Sequence, residues 1–345
     1  MTATTTTTTT TTPADATWES LILSERSVAK TWEDIFSKLG ILAVSTTNPG
    51  LLHRETTTPD RLIAECAWDL WQSFPSEAPN VVDAIRDFWA SPSSSTGTAV
   101  LILDALSLRE LPLILAAAQK RGIKPTRHNV RASVVPTDTN RFAAGLGLSS
   151  RSKLSNNEYP QSFIFAGTDV HTDVLDSHFA DCVARVPAKP RLFIWHEWPD
   201  HPLIHNHAEV TDGDAVVAAE IKRTISSDDF WAFINALRQG RRLLITGDHG
   251  YATACEFSSE IKDEESIRLF AGTFGAMRAI REDPTQPWPR RDLPPRVLRF
   301  PVGNDTWLVV IGQRKWKVRG GFPTLCHYGL SLLEAAVPVI EFPAA

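Results

Sequence analysis

Cysteine is scarce and scattered: Cys66, Cys182, Cys255 and Cys326 form no Cys-x-x-Cys pair. That argues against a cysteine zinc site or a disulfide framework and reads as buried thiols of a reduced compartment. No run approaches the roughly 18 consecutive apolar residues that a membrane span needs. A charged leader followed by an apolar core is missing from the N-terminus, so the expectation is a cytoplasmic protein. Basic charge is not in excess, with 35 Lys and Arg against 40 Asp and Glu. The balance argues against a broad basic face for indiscriminate nucleic-acid binding, and no reading motif for nucleic acid is present. There is no internal repeat.

What is there begins with low complexity. Thr4 to Thr12 are all threonine, a tract that buries nothing, and residues 1–16 read as a disordered tail. From Thr17 to Ala90 apolar residues recur at helical spacing, as in Leu62, Cys66, Leu70 and Phe74, followed by Val82, Ile85 and Phe88. Residues 17–97 are therefore expected to be a helical N-terminal segment. Ser91, Pro92, Thr96 and Gly97 belong to a turn-rich linker, and the rhythm changes after it. Short apolar runs at Ala99–Leu103, Val130–Val135, Ser162–Ala166, Arg191–Trp195 and Arg242–Ile245 predict strands. They alternate with helical patterns at Leu108–Lys120, from about Thr139, and at 172–184 and 215–239. Strands apolar on both faces, alternating with helices, predict an α/β fold: a mostly parallel sheet covered by helices on both faces. Arg281 to Pro295 reads as an irregular excursion, and Val297–Phe300 with Thr306–Ile311 as a strand pair at the sheet edge.

In such sheets ligands collect at the carboxyl ends of strands, and the chemistry-bearing residues fall there. Val100-Leu-Ile-Leu-Asp104 ends an apolar strand in an aspartate, which reads either as a helix cap or as a ligand. Leu243-Leu-Ile-Thr-Gly247-Asp248-His249-Gly250 ends another in two adjacent metal-type ligands between glycines that permit a sharp bend. In Pro136-Thr137-Asp138-Thr139-Asn140-Arg141, a threonine or the aspartate caps a helix, or Thr139 offers a hydroxyl that only a neighbouring cation makes nucleophilic. His196, His201, His205 and His207 crowd behind the strand that starts at Arg191, with Asp200 among them, a set that suits Zn²⁺ or reads as a solvated loop. Near the C-terminus His327 stands on a turn before a helix start with its own cap and acid, and a buried-type strand follows at once. Arg314 to Arg319 reads as a charged edge strand or a phosphate-contacting patch.

Taken in order, these motifs resemble the PglZ domain, a branch of the alkaline phosphatase superfamily, over about residues 98–342, so that 98–345 is expected to be one such domain. "LILDAL" is similar to the family's strand-terminal metal aspartate, on Asp104. "PTDTNRFAAG" is similar to its Pro-[Ser/Thr]-x-Thr nucleophile motif, on Thr139, and "LFIWHEWPD" to the strand ending in a second aspartate, on Asp200. "LLITGDHG" resembles the Asp-His motif, on Asp248 and His249. "CHYGLSLLEAAVPVI" resembles the closing motif, on His327, and its second half, Leu330 to Pro338, is the most specific stretch. The chain departs from the pattern twice. Ile204 stands where the superfamily has a histidine four positions after the second aspartate, leaving His205 or His201 as candidates, and Tyr328 replaces a glycine.

The resemblance implies an alkaline-phosphatase-like fold holding two divalent metals, Zn²⁺ or else Mn²⁺ or Mg²⁺. Asp104, Thr139, Asp248 and His249 would hold one; Asp200, His327 and His205 or His201 the other. It implies a phosphodiesterase or phosphatase with Thr139 as nucleophile, and the forked guanidinium of Arg141 makes it a candidate phosphate contact. The substrate is a phosphoester, with nucleotides and nucleic acid in range, and family members work beside other proteins in bacterial phage exclusion. The competing expectation is a catalytically silent, metal-binding scaffold that docks partners in a defence complex.

Overall fold

The computed structural model describes residues 13, 15–46, 49–91, 96–208, 212–254, 257, 259–289 and 292–345. The threonine tract lies outside these residues, as does Cys255. Five helices come first: α1 (Trp18–Ile22), α2 (Val28–Ser45), α3 (Pro49–Cys66), α4 (Trp68–Glu77) and α5 (Val81–Ala90). Strands and helices then alternate as β1 (Gly97–Asp104), α6 (Leu111–Lys120), β2 (Arg127–Ala132), α7 (Thr139–Gly145), β3 (Val170–Leu175), α8 (Phe179–Cys182) and β4 (Arg191–Pro199). Next come α9 (Gly213–Ser226), α10 (Asp228–Arg238), β5 (Arg241–Gly247), β6 (Ala252–Thr253), β7 (Ser259–Ile261), α11 (Glu264–Phe274) and β8 (Ala279–Arg281). The chain closes with β9 (Val297–Val302), β10 (Asp305–Val310), β11 (Arg314–Trp316), β12 (Leu325–Cys326), α12 (Leu332–Ala335) and β13 (Ala336–Phe342).

The main sheet has six strands in the order β2-β13-β5-β1-β4-β3. β1 pairs parallel with β4 and β5, and β3 pairs parallel with β4. Only β13 runs against its neighbours, antiparallel to both β5 and β2. Side chains alternate across a strand, and both faces here are covered. Ala99, Leu101 and Leu103 of β1 enter one apolar core with residues of α2, α6, α9 and α10; Val100 and Ile102 enter a second with α5 and α7. This two-sided burial is the reason the strands read as unbroken apolar runs. The N-terminal helices take part in both cores. Trp32, Phe36, Trp71 and Phe74 pack ring against ring on the first side, while Ile85 and Phe88 serve the second.

Parallel pairing puts the carboxyl ends of β1, β4 and β5 on one edge. Antiparallel β13 brings its amino end, with α12 and the loop before it, to that same edge. α12 starts with a capping box, the Ser331 side chain and Glu334 satisfying each other's backbone amides.

Several local expectations need correction. Ser162–Ala166 is a turn, and its phenylalanines Phe163 and Phe165 anchor it by packing on Phe193 of β4. The strand lies further on, at β3, and the helix expected over 172–184 is reduced to α8 and one 3₁₀ turn. The expected helix at 215–239 is two helices, because Ser227 has extended backbone and caps α10 by accepting from the Phe230 amide. β9 and β10 do pair, but in a separate three-stranded sheet with β8, not at the edge of the main one. Cys66 is exposed, unlike buried Cys182 and Cys326.

Candidate metal centre

β1 ends in Asp104, fully buried, and the chain turns at once through Ala105 at φ 60°. That turn aims the Ala105 amide at Asp248, donating to its Oδ1 over 2.8 Å. Asp248 follows β5, and its Oδ1 also accepts from the His249 amide at 3.0 Å, so the carboxylate is held before any ligand arrives. Gly247 and Gly250 are needed for close approach and not for positive φ. A Cβ at Gly247 would stand 2.5 Å from the Leu106 carbonyl oxygen, and one at Gly250 2.2 Å from that of Leu333.

The α7 region settles which residue caps the helix. Asp138 accepts from the Arg141 amide at 3.1 Å and is the N-cap. Thr137 donates its hydroxyl to the Gly329 carbonyl at 3.1 Å. Thr139, the first helical residue, is left with its hydroxyl between the two aspartates. Its Oγ1 lies 2.8 Å from Asp248 Oδ2, 3.1 Å from Asp104 Oδ1 and 3.4 Å from His249 Nε2.

Both histidines are fixed through their other ring nitrogen. His249 Nδ1 donates to the Gly250 carbonyl at 2.9 Å, and His327 Nδ1 to the Thr137 carbonyl at 3.1 Å. Each Nε2 is thereby left as an acceptor, the arrangement of a metal-ligating imidazole. The two rings stack at 4.4 Å, 11° from parallel. Burial alone would depress the His249 pKa, but the carboxylates of Asp248 and Asp200 outweigh it and hold the imidazole above its ordinary value. Burial, and His249 beside it, push His327 below its own.

Ligand atoms gather into two groups that share His249. Those of Asp104, Asp248 and His249 lie within 4.8 Å of one another, as do those of Asp200, His249 and His327. The donor set of carboxylate oxygens and imidazole nitrogens fits a divalent cation. So does one orphaned atom: Asp200 Oδ1 is buried without a hydrogen-bond partner. Buried polar atoms seldom remain unsatisfied, and an ion is one accepted explanation.

The remaining candidates are placed differently. His205 and His201 are exposed on the short turn after Asp200, with rings 6.1 Å apart, and stand outside both ligand groups. His205 does line a cavity of about 570 Å³ together with Asp200, His327 and Tyr328. His196 is a core residue. It accepts from the Trp198 amide at 3.0 Å, stacks on Phe179, and burial pushes its pKa down to about 4. Arg141 donates from Nε to the Val135 carbonyl at 3.2 Å and lines another cavity, of about 490 Å³, beside Asn80 and Phe300. Arg314 and Trp316 are buried, and β11 pairs with β7.

Sequence reasoning missed Arg151. Its guanidinium pairs with Asp104 Oδ2 and, 2.9 Å away, with Glu197. It sits in a 3₁₀ segment with no periodic signal, so nothing local marks it. Also missed was Arg278, fully buried beneath the loop that carries His327.

No family model and no curated protein matches the chain. Among solved structures it is similar to murine ectonucleotide pyrophosphatase/phosphodiesterase 5, an inactive variant in complex with AMP. There the identity is 13% over 72% of this chain and 88% of that one, with a TM-score of 0.43. It is also similar to phosphonoacetate hydrolase from Sinorhizobium meliloti 1021 in complex with phosphonoformate, 15% identical over 73% of this chain and 91% of that one, with a TM-score of 0.41.

Proposed function

We propose that the chain is a metal-dependent phosphoester hydrolase of the alkaline phosphatase superfamily, of the PglZ type, with Thr139 as its nucleophile. One observation carries the reading: the Thr139 hydroxyl lies within hydrogen-bond reach of two buried carboxylates from different strands. Such a convergence of acids on one hydroxyl has no role in packing, and since Arg151 pairs with Asp104 but not with Asp248, a further cation would offset the cost that remains. The order of motifs, with the closing Leu330 to Pro338 stretch last, supports the PglZ type.

Asp104, Thr139, Asp248 and His249 would hold one divalent cation. Asp200 and His327 would hold the other, with His249 between the groups and His205 lining the same cavity. When bound, the cations lower the pKa of the threonine hydroxyl and offset charge on the phosphoryl oxygens. The residues do the rest. Asp248 Oδ2 accepts the Thr139 proton, and Thr139 Oγ1 attacks phosphorus. The bond to the leaving oxygen breaks, the departing oxygen takes up a proton from solvent, and Thr139 is left as a phosphothreonine. Water then attacks that phosphorus and gives one proton to bulk water, while the Thr139 oxygen leaves and takes back the proton held on Asp248. Arg151, pinned by Glu197, holds Asp104 in place through the attack.

The test is elemental analysis of purified protein together with turnover of bis-p-nitrophenyl phosphate in added Zn²⁺ or Mn²⁺. The proposal expects two metals per chain and turnover that a chelator abolishes. Metal without turnover would support the docking scaffold instead, and neither metal nor turnover would sink both.

A further inference from the structure

Tyr328 is a bulky side chain in a backbone conformation that suits glycine. Its φ is 79°, in the left-handed region that aromatic residues seldom adopt. Backbone placed there persists only where its surroundings impose it, and such outliers concentrate at sites of function. The surroundings are evident. The Tyr328 amide donates to the Thr137 carbonyl at 3.1 Å, and the phenol ring stacks on His327 at 4.0 Å, 23° from parallel. His327 stacks in turn on His249. The chain accepts an unfavourable φ and sets an aromatic ring at the edge of the ligand groups.

That ring lines the 570 Å³ cavity, whose wall is ligand-type on one side, with Asp200, His205 and His327, and carries the apolar side chains Ile204, Leu325 and Met277 besides. Ile204 and Leu325 are buried, whereas Met277 is 43% exposed, a large apolar side chain left open to water. A thioether and a phenol around one opening suit a flat, polarisable guest. The volume is that of a small-molecule site and exceeds what a phosphoryl group alone fills.

We propose that Tyr328, Met277 and Leu325 form a subsite for a flat aromatic group, aryl or nucleobase, carried by the phosphoester. The inference rests on the phosphoester reading of the adjoining ligand groups. It gives Tyr328 a contact with substrate and makes the ring a determinant of specificity, with small alkyl esters the poorer ligands.

Binding of unreactive phosphonates tests this without the leaving-group effects that confound rates. Calorimetry on the metal-loaded full chain compares phenylphosphonate with methylphosphonate. The wild type is expected to prefer phenyl by at least about tenfold, as stacking and apolar burial predict. In Tyr328→Gly and in Met277→Ala that preference should shrink to within about threefold. Tyr328→Gly relieves the backbone, so its melting temperature should match or exceed the wild type, and loss of selectivity then is not unfolding. Equal binding of the two phosphonates to wild type, or a preference that survives both substitutions, overturns the subsite while leaving the hydrolase reading intact. If the metal-loaded protein binds neither phosphonate, the subsite falls, and turnover of bis-p-nitrophenyl phosphate decides the hydrolase reading separately.

Discussion

Arg278 grips Glu334 in a fully buried, two-pronged ion pair, Nε to Oε1 at 2.8 Å and Nη2 to Oε2 at 3.0 Å. Glu334 also accepts from the Gly329 and Ser331 amides, so the pair fixes the loop that presents His327. The guanidinium is packed so close that a Cβ on Gly329 would stand 2.4 Å from its Nε. Two further Arg278 bonds, to the carbonyls of Arg314 and Gly312, tie the loop to the β10–β11 connection.

Removing Arg278 leaves a buried carboxylate without its cation, the costly way to break such a pair. Arg278→Met should therefore lose roughly 3–5 kcal/mol of stability in denaturant titration. A loss under about 1 kcal/mol would mean the pair contributes no more than an exposed one.

Thr139→Ala should reduce phosphoester turnover by at least roughly a hundredfold, since among the described residues no other hydroxyl touches both the Asp104 and Asp248 carboxylates. Thr139→Ser should retain most of it. Stability should change by less than about 1 kcal/mol in either, because Asp138 and not Thr139 caps α7. Undiminished rates in the alanine variant would remove Thr139 from the mechanism, with buried Thr137 a poor substitute because its hydroxyl is committed to Gly329.

The side chains that converge at the candidate centre were readable where they stand at strand ends. An apolar run that stops in Asp104, or in Gly247-Asp248-His249, marks a carboxyl edge without knowledge of the rest of the sheet. His327 was readable for a related reason: the cap at Ser331 and the apolar run of β13 fixed the elements that flank it. Arg151 and Arg278 left no such mark, since each acts through partners remote in sequence, Asp104 and Glu334 respectively. The misplaced strand has a physical cause as well. Phe163-Ile164-Phe165 is as apolar as a strand but anchors a turn, while edge strand β3 carries His171, Thr172 and Asp173. A short apolar run cannot tell these cases apart. The Ala105 and Tyr328 backbone conformations were equally hidden, because neither residue type announces a positive φ.

Asp60 of α3 supplies a pH prediction. It is fully buried, accepting from the Leu332 amide at 2.8 Å and from Gln313 at 2.9 Å. Burial, with Glu334 nearby, raises its pKa to about 7 from an ordinary 3.8, although both hydrogen bonds and Arg278 oppose the rise. Between those two values the folded state holds a proton that the unfolded state has lost, so stability falls as pH increases. The contribution is complete below about 4 and gone above about 7. Glu110 is raised to about 7 as well, so the wild-type curve carries both groups and a variant must separate them. In Asp60→Asn the melting temperature should fall less between pH 5 and pH 8 than in the wild type. Parallel curves for the two proteins would show that Asp60 does not titrate in this range.

Metal removal bears on the whole centre. Asp104, Asp248 and His249 are fully buried, and their ligand atoms crowd within 4.8 Å. Arg151 pairs with one oxygen of that set, Asp104 Oδ2, and among the described residues no Lys or Arg pairs with Asp248, whose neighbour is the His249 imidazole at 3.7 Å. An ion that binds the folded state alone stabilises it by mass action, by about 2.7 kcal/mol at a hundredfold excess over its dissociation constant. A chelator should therefore lower the melting temperature, and Zn²⁺ or Mn²⁺ should restore it. Asp248→Ala should respond far less, because it loses a ligand of the group that includes Thr139 and leaves the Ala105 amide without its acceptor. Asp200→Ala should keep part of the response, since the Asp104, Asp248 and His249 group survives in it. A wild-type melting curve that ignores both chelator and metal would reduce these carboxylates to an unpaired cluster and end the case for hydrolysis at Thr139.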